Sequence, residues 1–340
     1  MSLDLYRSSL VMCRYTIPEP LVSPDRHEAL VQVFENSVGQ IILEHPFLSV
    51  GLVGQHSKKP LWVELESVDF RNHVKWQAMA PSVDYEVELL KVIERQVDIT
   101  FDHVETQPLW RLLVLQVQGG KFLDAIFEWN HAIADGFSIK IFHETLLRSL
   151  NTESMDAQRS CLKDRVLAIP SSARNLPPAV DKLSKFTITK KFAAATIWKL
   201  LKPPVFATKS DLQANWAPIQ AFKPYKTRCR MFSIDNSILQ NVLRACRKHY
   251  TTLTGLLLSI SMVSLATQLP KTDAVGFRGC TAINLRPIMS AAPLRVPGFD
   301  PNKTMANFMT IMDHEWDAEL VAEIRACVAK VSDNPGDCGP

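Results

Sequence analysis

One histidine of the chain stands in a setting where it could act as a base. His131 lies in the segment NHAIADG (residues 130–136), between a hydrophobic run and a run with helical periodicity. The unperturbed pKa of an imidazole is about 6.5, so at neutral pH an uncharged ring can accept the proton of a hydroxyl group. The residue type and its position at a strand end therefore favour general-base chemistry.

Asp135 and Gly136 complete an H-x-x-x-D-G spacing with His131. Asp135 follows the histidine by four residues, a separation that allows a direct pair if the segment is helical. We expect Gly136 to let the chain turn where a Cβ would collide. Taken alone the spacing is a weak signal, because a single histidine beside an apolar strand is more often a core or surface residue.

The other residue types that support catalysis form no second constellation. The remaining histidines make no spaced set with Asp or Glu, so we assign no metal. The sequence has no Gly-rich phosphate loop, no G-x-S-x-G elbow and no zinc-finger pattern. Its seven cysteines include no C-x-x-C pair, which favours a reduced, cytoplasmic setting. Asp4 and Arg7 precede any long apolar run, so the N-terminus does not read as a signal peptide.

Length and charge restrict the class of protein. The chain has 340 residues, of which 46% are hydrophobic, enough for one large or two medium domains. Its 38 basic and 35 acidic residues leave a formal net charge of +3, which gives no electrostatic case for nucleic acid. Residues 250–270 carry no charge but are too rich in Ser, Thr and Gln for a membrane span, so a buried helix of a soluble domain is favoured.

The elements around the motif alternate between strand and helix. The strands that we predict are residues 9–16, 109–118 and 122–129, and the helices are residues 25–44, 85–97 and a segment after Gly136. Asp25 is the predicted N-cap of the first helix, because its carboxylate can accept a bond from a free first-turn amide. The motif therefore lies where a buried strand turns into a helix.

The character of the sequence changes after the motif helix. We predict an N-terminal lobe at residues 1–155, a loop-rich crossover region at 156–226 and a C-terminal lobe at 227–340. Residues 185–230 contain ten basic residues and one acidic residue, which favours a solvated linker. A helix at residues 192–201 keeps open a weak contact with a membrane surface. Further predicted elements are a strand at residues 229–235 and a last helix at 313–331.

The motif in this setting resembles the signature of the CoA-dependent acyltransferase superfamily, which holds plant-type and fungal acyl-CoA alcohol acyltransferases, chloramphenicol acetyltransferase and the condensation domains of peptide synthetases. Other segments agree with that family in the expected order: LEHPFL (43–48), FD (101–102), QPLWR (107–111) and INLRP (283–287). Pro177-Pro178, Trp198 and Pro203-Pro204 look most like the fungal alcohol acetyltransferase branch. The resemblance covers roughly residues 5–330. It implies an α/β (α+β), two-lobed fold like that of chloramphenicol acetyltransferase, with mixed sheets.

The resemblance also implies roles for individual residues. His131 matches the general base, while Asp135 and Arg286 match a pair that, with Gly136, supports the motif loop. The implied reaction moves an acyl group, by default acetyl, from CoA to the hydroxyl or amine of a small molecule. No cofactor would be bound, because acetyl-CoA is a co-substrate that enters a tunnel between the lobes. We expect a monomer.

Two departures from the family keep alternatives open. Asn130 stands where condensation domains carry a second histidine, so a fragment of a condensation-type module is the weaker interpretation. Family members continue well past the point where this chain ends, so we expect an incomplete C-terminal lobe. Residues 332–340 read as a disordered tail. A truncated, catalytically inactive acyltransferase-like protein is therefore the alternative to an active enzyme.

Overall fold

The computed structural model describes residues 7–81, 84–152, 160–171, 175–185, 188–201, 226–290 and 294–333. The strands are β1 Ser9–Thr16, β2 Val50–Val53, β3 Leu61–Glu64, β4 Ser67–Asp69, β5 Val74–Met79, β6 Trp110–Val117, β7 Phe122–Trp129, β8 Leu162–Lys163, β9 Val166–Ala168, β10 Phe277–Asn284 and β11 Met309–Trp316. The helices are α1 His27–Glu44, α2 Phe70–His73, α3 Tyr85–Val97, α4 Gly136–Thr152, α5 Val180–Leu183, α6 Lys190–Leu201, α7 Asn236–Lys248, α8 Leu253–Gln268, α9 Arg286–Ser290 and α10 Ala318–Asp333.

Two compact units, each discontinuous in sequence, make up the chain. The first unit consists of Met1–Lys185, Ala221–Arg230 and Asn284–Met309, and the second of Phe186–Gln220, Met231–Ile283 and Thr310–Pro340. The lobe boundaries at residues 155 and 226 stay a prediction. The motif segment and Arg286 both belong to the first unit.

The central sheet of the first unit has the strand order β1-β7-β6-β5. β7 pairs antiparallel with both β1 and β6, whereas β5 and β6 are parallel. Leu112 and Val114 face the larger core with α1 and α4, while Leu113 and Leu115 face a smaller core with α3. A sheet that is buried on both faces explains why its strands are almost continuously hydrophobic.

A tight turn joins β6 to β7 and leads the chain to the motif. Gly119 at this turn has a φ of +72°, in the left-handed region that glycine adopts at little cost. β7 then runs through the middle of the sheet, with Trp129 opposite both Ser9 of β1 and Trp110 of β6. The fixed register places the end of β7, and the loop that follows it, at one edge of the core.

One prediction for the first unit is wrong in detail. Asp25 does not cap α1, because residues 24–26 form a 3-10 turn and the N-cap position falls on Arg26, which makes no side-chain cap. The predicted crossover region contains β8 and β9, which join β4 in a three-stranded sheet. Residues 202–225, which hold Pro203-Pro204 and much of the basic stretch, lie outside the described residues.

The predicted strand at residues 229–235 is absent from the described structure. Backbone amides there bond to carboxylates of the α3 region instead of to a neighbouring strand: Thr227 N lies 3.0 Å from Asp98 Oδ1, and Cys229 N lies 2.8 Å from Glu94 Oε1. At Cys229, the first residue of the predicted strand, a side chain and not a neighbouring strand therefore satisfies the backbone amide.

In the second unit, β10 and β11 form a two-stranded sheet. The last helix begins at Ala318 and not at residue 313, since residues 313–316 belong to β11. α8 forms within the uncharged segment, but only Met262 and Ala266 of that helix are buried, so the prediction of a buried helix is wrong. Residues 332 and 333 of the predicted tail belong to α10, and residues 334–340 lie outside the described residues.

Among the helices of the described ranges, no single one combines the length and the apolar character that a bilayer span requires. α7 and α8 reach that length and apolar character only when the two helices are taken together, and they meet at a bend of 92°.

Candidate active site

The loop that carries His131 is shaped by the residue before it. Asn130 N donates to Leu109 O at 2.9 Å, which extends the contact between the ends of β6 and β7. Asn130 Oδ1 accepts from Ala132 N at 2.9 Å, and Asn130 O accepts from Ile133 N at 3.0 Å. Asparagine commonly closes a turn in this way, with its own side chain in place of a backbone carbonyl. The chain therefore turns sharply at His131.

Buried residues on both sides of His131 hold the loop against the core. Trp129 Nε1 donates to Ala134 O at 2.8 Å, a bond that spans the turn. Ile133 and Ala134 are fully buried, at 0% and 1% exposure. Because moving them would open the core, the backbone around the histidine is rigidly placed.

Asp135 is the N-cap of α4. Its Oδ1 accepts from both Ser138 N and Ser138 Oγ at 2.8 Å. Its Oδ2 accepts from Arg286 Nη1 at 2.6 Å and from Phe308 N at 2.8 Å. Each carboxylate oxygen thus holds two donors, which fixes the start of the helix and ties it to a distant segment.

Arg286 is fully buried, and protein groups surround its guanidinium. Nε donates to Pro301 O at 2.9 Å, while Nη2 donates to Ser138 Oγ at 3.1 Å and to Ala306 O at 3.0 Å. The guanidinium carbon also lies 5.0 Å from the ring centroid of Phe308. A buried cation needs such complete pairing, because an unpaired charge in the interior is strongly unfavourable.

The electrostatics of the pair favour its ionised form. Burial alone would raise the pKa of Asp135. The hydrogen bond and the charge of Arg286 outweigh burial, with help from the amides of Ser138 and Phe308, and the pKa of Asp135 is lowered from its ordinary value. The carboxylate is therefore ionised at neutral pH and acts as a structural acceptor.

His131 is half-buried at the end of this braced loop. Its ring lies 5.7 Å from the indole ring of Trp129, between centroids, and its backbone oxygen accepts from Asn307 Nδ2 at 2.7 Å. Burial lowers the pKa of His131, although the charge of Asp135 and a hydrogen bond with the backbone of Ala134 oppose the shift. The ring is consequently uncharged at neutral pH, which is the form that can take up a proton.

Gly136 plays a different part from the one expected. Apart from its chain neighbours and the backbone of its own helix, no atom lies within 4 Å of the position that its Cβ would occupy, and its φ is not in the left-handed region. The expectation that a side chain would collide here is therefore wrong. Open space adjoins the helix start instead.

The structure brings together Asp135 and Arg286, places His131 four residues before the pair and sets Gly136 beside it. Sequence reasoning missed three contributors: Ser138, Asn307 and Phe308. A serine three residues after a capping aspartate is a recognisable helix-start pattern, so Ser138 could have been found. Asn307 and the amide of Phe308 carry no local signal, because they reach the motif from more than 160 residues away.

Metal chemistry finds no support in the described ranges. Within them, no group of three or more His, Cys, Asp or Glu side chains is arranged to hold a metal ion. The polar groups around the motif are instead paired with one another or with the backbone.

Two comparisons of the sequence place these features in a family. A family model described as alcohol acetyltransferase matches residues 68–295. The chain is 29% identical to the probable alcohol acetyltransferase FCK4 of Fusarium pseudograminearum over 300 residues, which is 85% of this chain and 58% of that protein. The chain spans about half the length of the curated relatives it matches.

Solved structures agree on the fold. The TRI3 trichothecene 15-O-acetyltransferase of Fusarium sporotrichioides superposes with a TM-score of 0.65 at 15% identity, covering 98% of this chain and 70% of that one. The first condensation domain of the CDA synthetase superposes with a TM-score of 0.54 at 10% identity, covering 96% and 69%. The predicted mixed α/β fold of the chloramphenicol acetyltransferase type is confirmed. The family match over most of the chain, on this fold, shows that the chain belongs to the alcohol acetyltransferase family.

Proposed function

We propose that this chain catalyses transfer of an acyl group from a CoA thioester to the hydroxyl group of a small molecule. The observation that carries the proposal is the placement of an uncharged, half-buried His131 on a loop locked by Asp135 and Arg286. Membership of the alcohol acetyltransferase family supports the reaction class.

His131 is the general base of the proposed reaction. As the acceptor oxygen attacks the thioester carbonyl carbon, the histidine takes the hydroxyl proton. The tetrahedral intermediate collapses, the C–S bond breaks, and the imidazolium returns the proton to the departing thiolate. The products are an ester and free CoA, and no covalent bond to the enzyme forms. Such base assistance typically contributes about 10²–10⁴-fold to the rate.

Asp135 and Arg286 position the base and do not react. Both oxygens of Asp135 already accept hydrogen bonds, and every nitrogen of the Arg286 guanidinium donates to a protein acceptor. Neither group is available to a substrate. Their contribution is to hold the histidine within the narrow range of positions that proton transfer needs.

The proposed donor is acetyl-CoA, and the proposed acceptor is an alcohol. The family description and the name of the Fusarium pseudograminearum relative both specify acetyl transfer to an alcohol. Acetyl-CoA would act as a co-substrate, so no resident cofactor is required. An amine acceptor would use the same base, because its proton leaves along the same path.

Turnover with acetyl-CoA and a panel of primary and secondary alcohols tests the proposal, with release of free thiol as the readout. We expect ester formation by the wild type and loss of at least 10²-fold in His131→Ala, consistent with removal of a general base. His314→Ala, in the second unit, is the matched histidine control. A cooperatively folded wild type that binds acetyl-CoA without turnover would favour the catalytically inactive relative. Use of carrier-bound thioesters alone would favour a condensation-type module.

A further inference from the structure

A large, partly open cavity in the first unit extends to the start of α4, next to the motif loop. It has a volume of about 950 Å³ and lies between β1, α1 and α4. Its lining includes Val11 and Tyr15 of β1, Leu30 and Phe34 of α1, and His143 and Leu147 of α4. A volume near the upper end of the usual range for ligand sites is far more than an acetyl group would fill.

The cavity is elongated and one of its ends adjoins the motif. Gly136, the first residue of α4, and Asn151, close to the end of that helix, both line it. Fifteen residues of α-helix correspond to about 22 Å at a rise of 1.5 Å per residue. The space therefore follows α4 for most of its length, and its near end lies one residue from Asp135.

Gly136 leaves that near end open. The backbone there needs no glycine, since its φ is not in the left-handed region. Packing needs no glycine either, since no atom outside its chain neighbours and its own helix backbone lies within 4 Å of the missing Cβ. Glycine at a helix position with ordinary geometry is less favourable than alanine. Gly136 lines the cavity, and the space where its Cβ would project is unoccupied, so no side chain at this position closes the end of the cavity nearest the motif.

The interior of the cavity carries no charge. Tyr15 Oη and His143 Nδ1 form a hydrogen bond of 2.8 Å. Burial lowers the pKa of His143 to about 4 and raises the pKa of Tyr15, so both are uncharged at neutral pH. Most of the other lining residues within the cavity are aliphatic. An uncharged, apolar occupant fits such walls.

The charged lining residues belong to the rim and are paired. Arg14 bonds to Asp124 at 2.8 Å through two nitrogens, and Lys140 pairs with Glu144 at 2.7 Å. The side chains of Arg14, Lys140 and Glu144 are all more than half exposed. They offer no unpaired charge to an anionic or cationic ligand.

We propose that this cavity binds an extended, uncharged aliphatic chain whose reacting end lies at Gly136, beside the motif. The inference rests on the proposed function for its link to catalysis, because it makes the cavity the site that selects the substrate by chain length. The chain has two possible sources: a long-chain acceptor alcohol, or an acyl group longer than acetyl. Both sources present the same uncharged aliphatic chain to the residues that line the cavity.

Binding of four probes to the purified full chain tests the inference without turnover. 1-Decanol and 1-butanol represent the acceptor source, and decanoyl-CoA and acetyl-CoA represent the donor source. Isothermal titration calorimetry gives each dissociation constant. We expect at least one long-chain probe to bind at least tenfold more tightly than its short-chain counterpart. A preference for 1-decanol assigns the cavity to the acceptor, and a preference for decanoyl-CoA assigns it to the acyl group.

Two variants fill the cavity at its opposite ends. Gly136→Leu places a side chain at the end nearest the motif, and Leu150→Trp enlarges a lining residue near the far end. We expect both to remove the long-chain preference. Arg148→Trp is the matched control, since it adds the same bulk to an exposed position of α4 that does not line the cavity. Thermal unfolding without probe shows that each variant is folded.

The results separate this inference from the proposed function. His131→Ala should bind the long-chain probe as tightly as the wild type, because the base does not line the cavity. The inference is overturned if neither long-chain probe is preferred, or if Leu150→Trp keeps the same preference as Arg148→Trp. Turnover of short alcohols could persist in that case, which would leave the proposed function standing without the cavity.

Discussion

Arg286 Nη1 lies 2.6 Å from Asp135 Oδ2, although the two residues are 151 positions apart in the sequence. The bond joins the segment that follows β10 to the start of the motif helix. Both groups are almost fully buried, with side-chain exposures of 0% and 5%. The pair is therefore a link between distant parts of the first unit, and we expect the position of His131 to depend on it.

Removal of either partner should destabilise the first unit. Arg286→Met leaves the Asp135 carboxylate buried without its cation, and Asp135→Asn leaves the guanidinium buried without its anion. We expect each variant to lower the free energy of unfolding by about 3–5 kcal/mol, measured by urea denaturation. The double variant should lose less than the sum of the two.

An exposed ion pair provides the control for this prediction. Lys91→Met breaks a pair with Glu88 in which both side chains are at least one third exposed, and it should leave the urea midpoint almost unchanged. If Arg286→Met lowered the free energy of unfolding as little as Lys91→Met does, the buried pair would not hold the motif in place.

Ser138 should contribute to the same link through its hydroxyl group. Ser138 Oγ donates toward Asp135 Oδ1 or Ala306 O, each at 2.8 Å, and accepts from Arg286 Nη2. Ser138→Ala leaves these buried groups with one partner fewer, so the free energy of unfolding should fall by about 1–3 kcal/mol. Ser57→Ala, at an exposed turn, is the matched control. Equal urea midpoints for the two variants would argue against this role.

Asn307 should affect the rate more than the fold. Its Nδ2 donates to His131 O at 2.7 Å, and the bond steadies the backbone of the proposed base. Loss of one hydrogen bond is worth about 1 kcal/mol, so we expect kcat/KM of Asn307→Ala to fall about fivefold. Asn302→Ala removes a comparable bond, from Nδ2 to Ser290 Oγ, away from the motif. If both variants retained the same kcat/KM, Asn307 would have no positioning role.

Buried histidine should make the protein sensitive to mild acid. Because the pKa of His143 is lowered from 6.5 to about 4, the unfolded chain binds a proton in this range that the folded chain does not. Stability from this residue is therefore complete above pH 6.5 and declines as the pH falls to 4. The lowered pKa of His143 corresponds to about 3 kcal/mol of unfolding free energy, at 1.36 kcal/mol per pKa unit.

A substitution isolates this contribution. His143→Gln should flatten the fall in unfolding free energy between pH 6.5 and pH 4, measured by urea denaturation at several pH values. His56→Gln, at an exposed position, should leave the pH dependence as it is in the wild type. If the unfolding free energy of His143→Gln fell with pH as steeply as that of the wild type, this histidine would not stay neutral on folding.

Local periodicity was sufficient for several elements. The predicted bounds of β1, α3 and β7 coincide with those in the structure, because each has a regular apolar pattern between clear turn signals. β5 was not predicted, although VKWQAM alternates polar and apolar residues as a half-buried strand does and Pro81 follows it closely. α8 was expected to be buried because it lacks charge, but composition does not reveal what covers a helix.

The candidate site could be predicted only in part, for a physical reason. His131, Asp135 and Gly136 are adjacent in sequence and carry a recognisable spacing, and Arg286 entered through the family resemblance. Asn307 and the Phe308 amide approach the motif only after the chain folds. Their contacts depend on tertiary structure, which no local pattern encodes.

The pH dependence of kcat/KM for acetyl transfer tests the role of His131 most directly. Burial lowers the pKa of His131, so the rate should rise with pH and level off at or below pH 6.5, where the ring becomes neutral. In His131→Ala the remaining rate should be at least 10²-fold lower and should lack this rise, while thermal unfolding stays cooperative. A His131→Ala variant that kept both the wild-type rate and the wild-type pH profile would contradict His131 as the base.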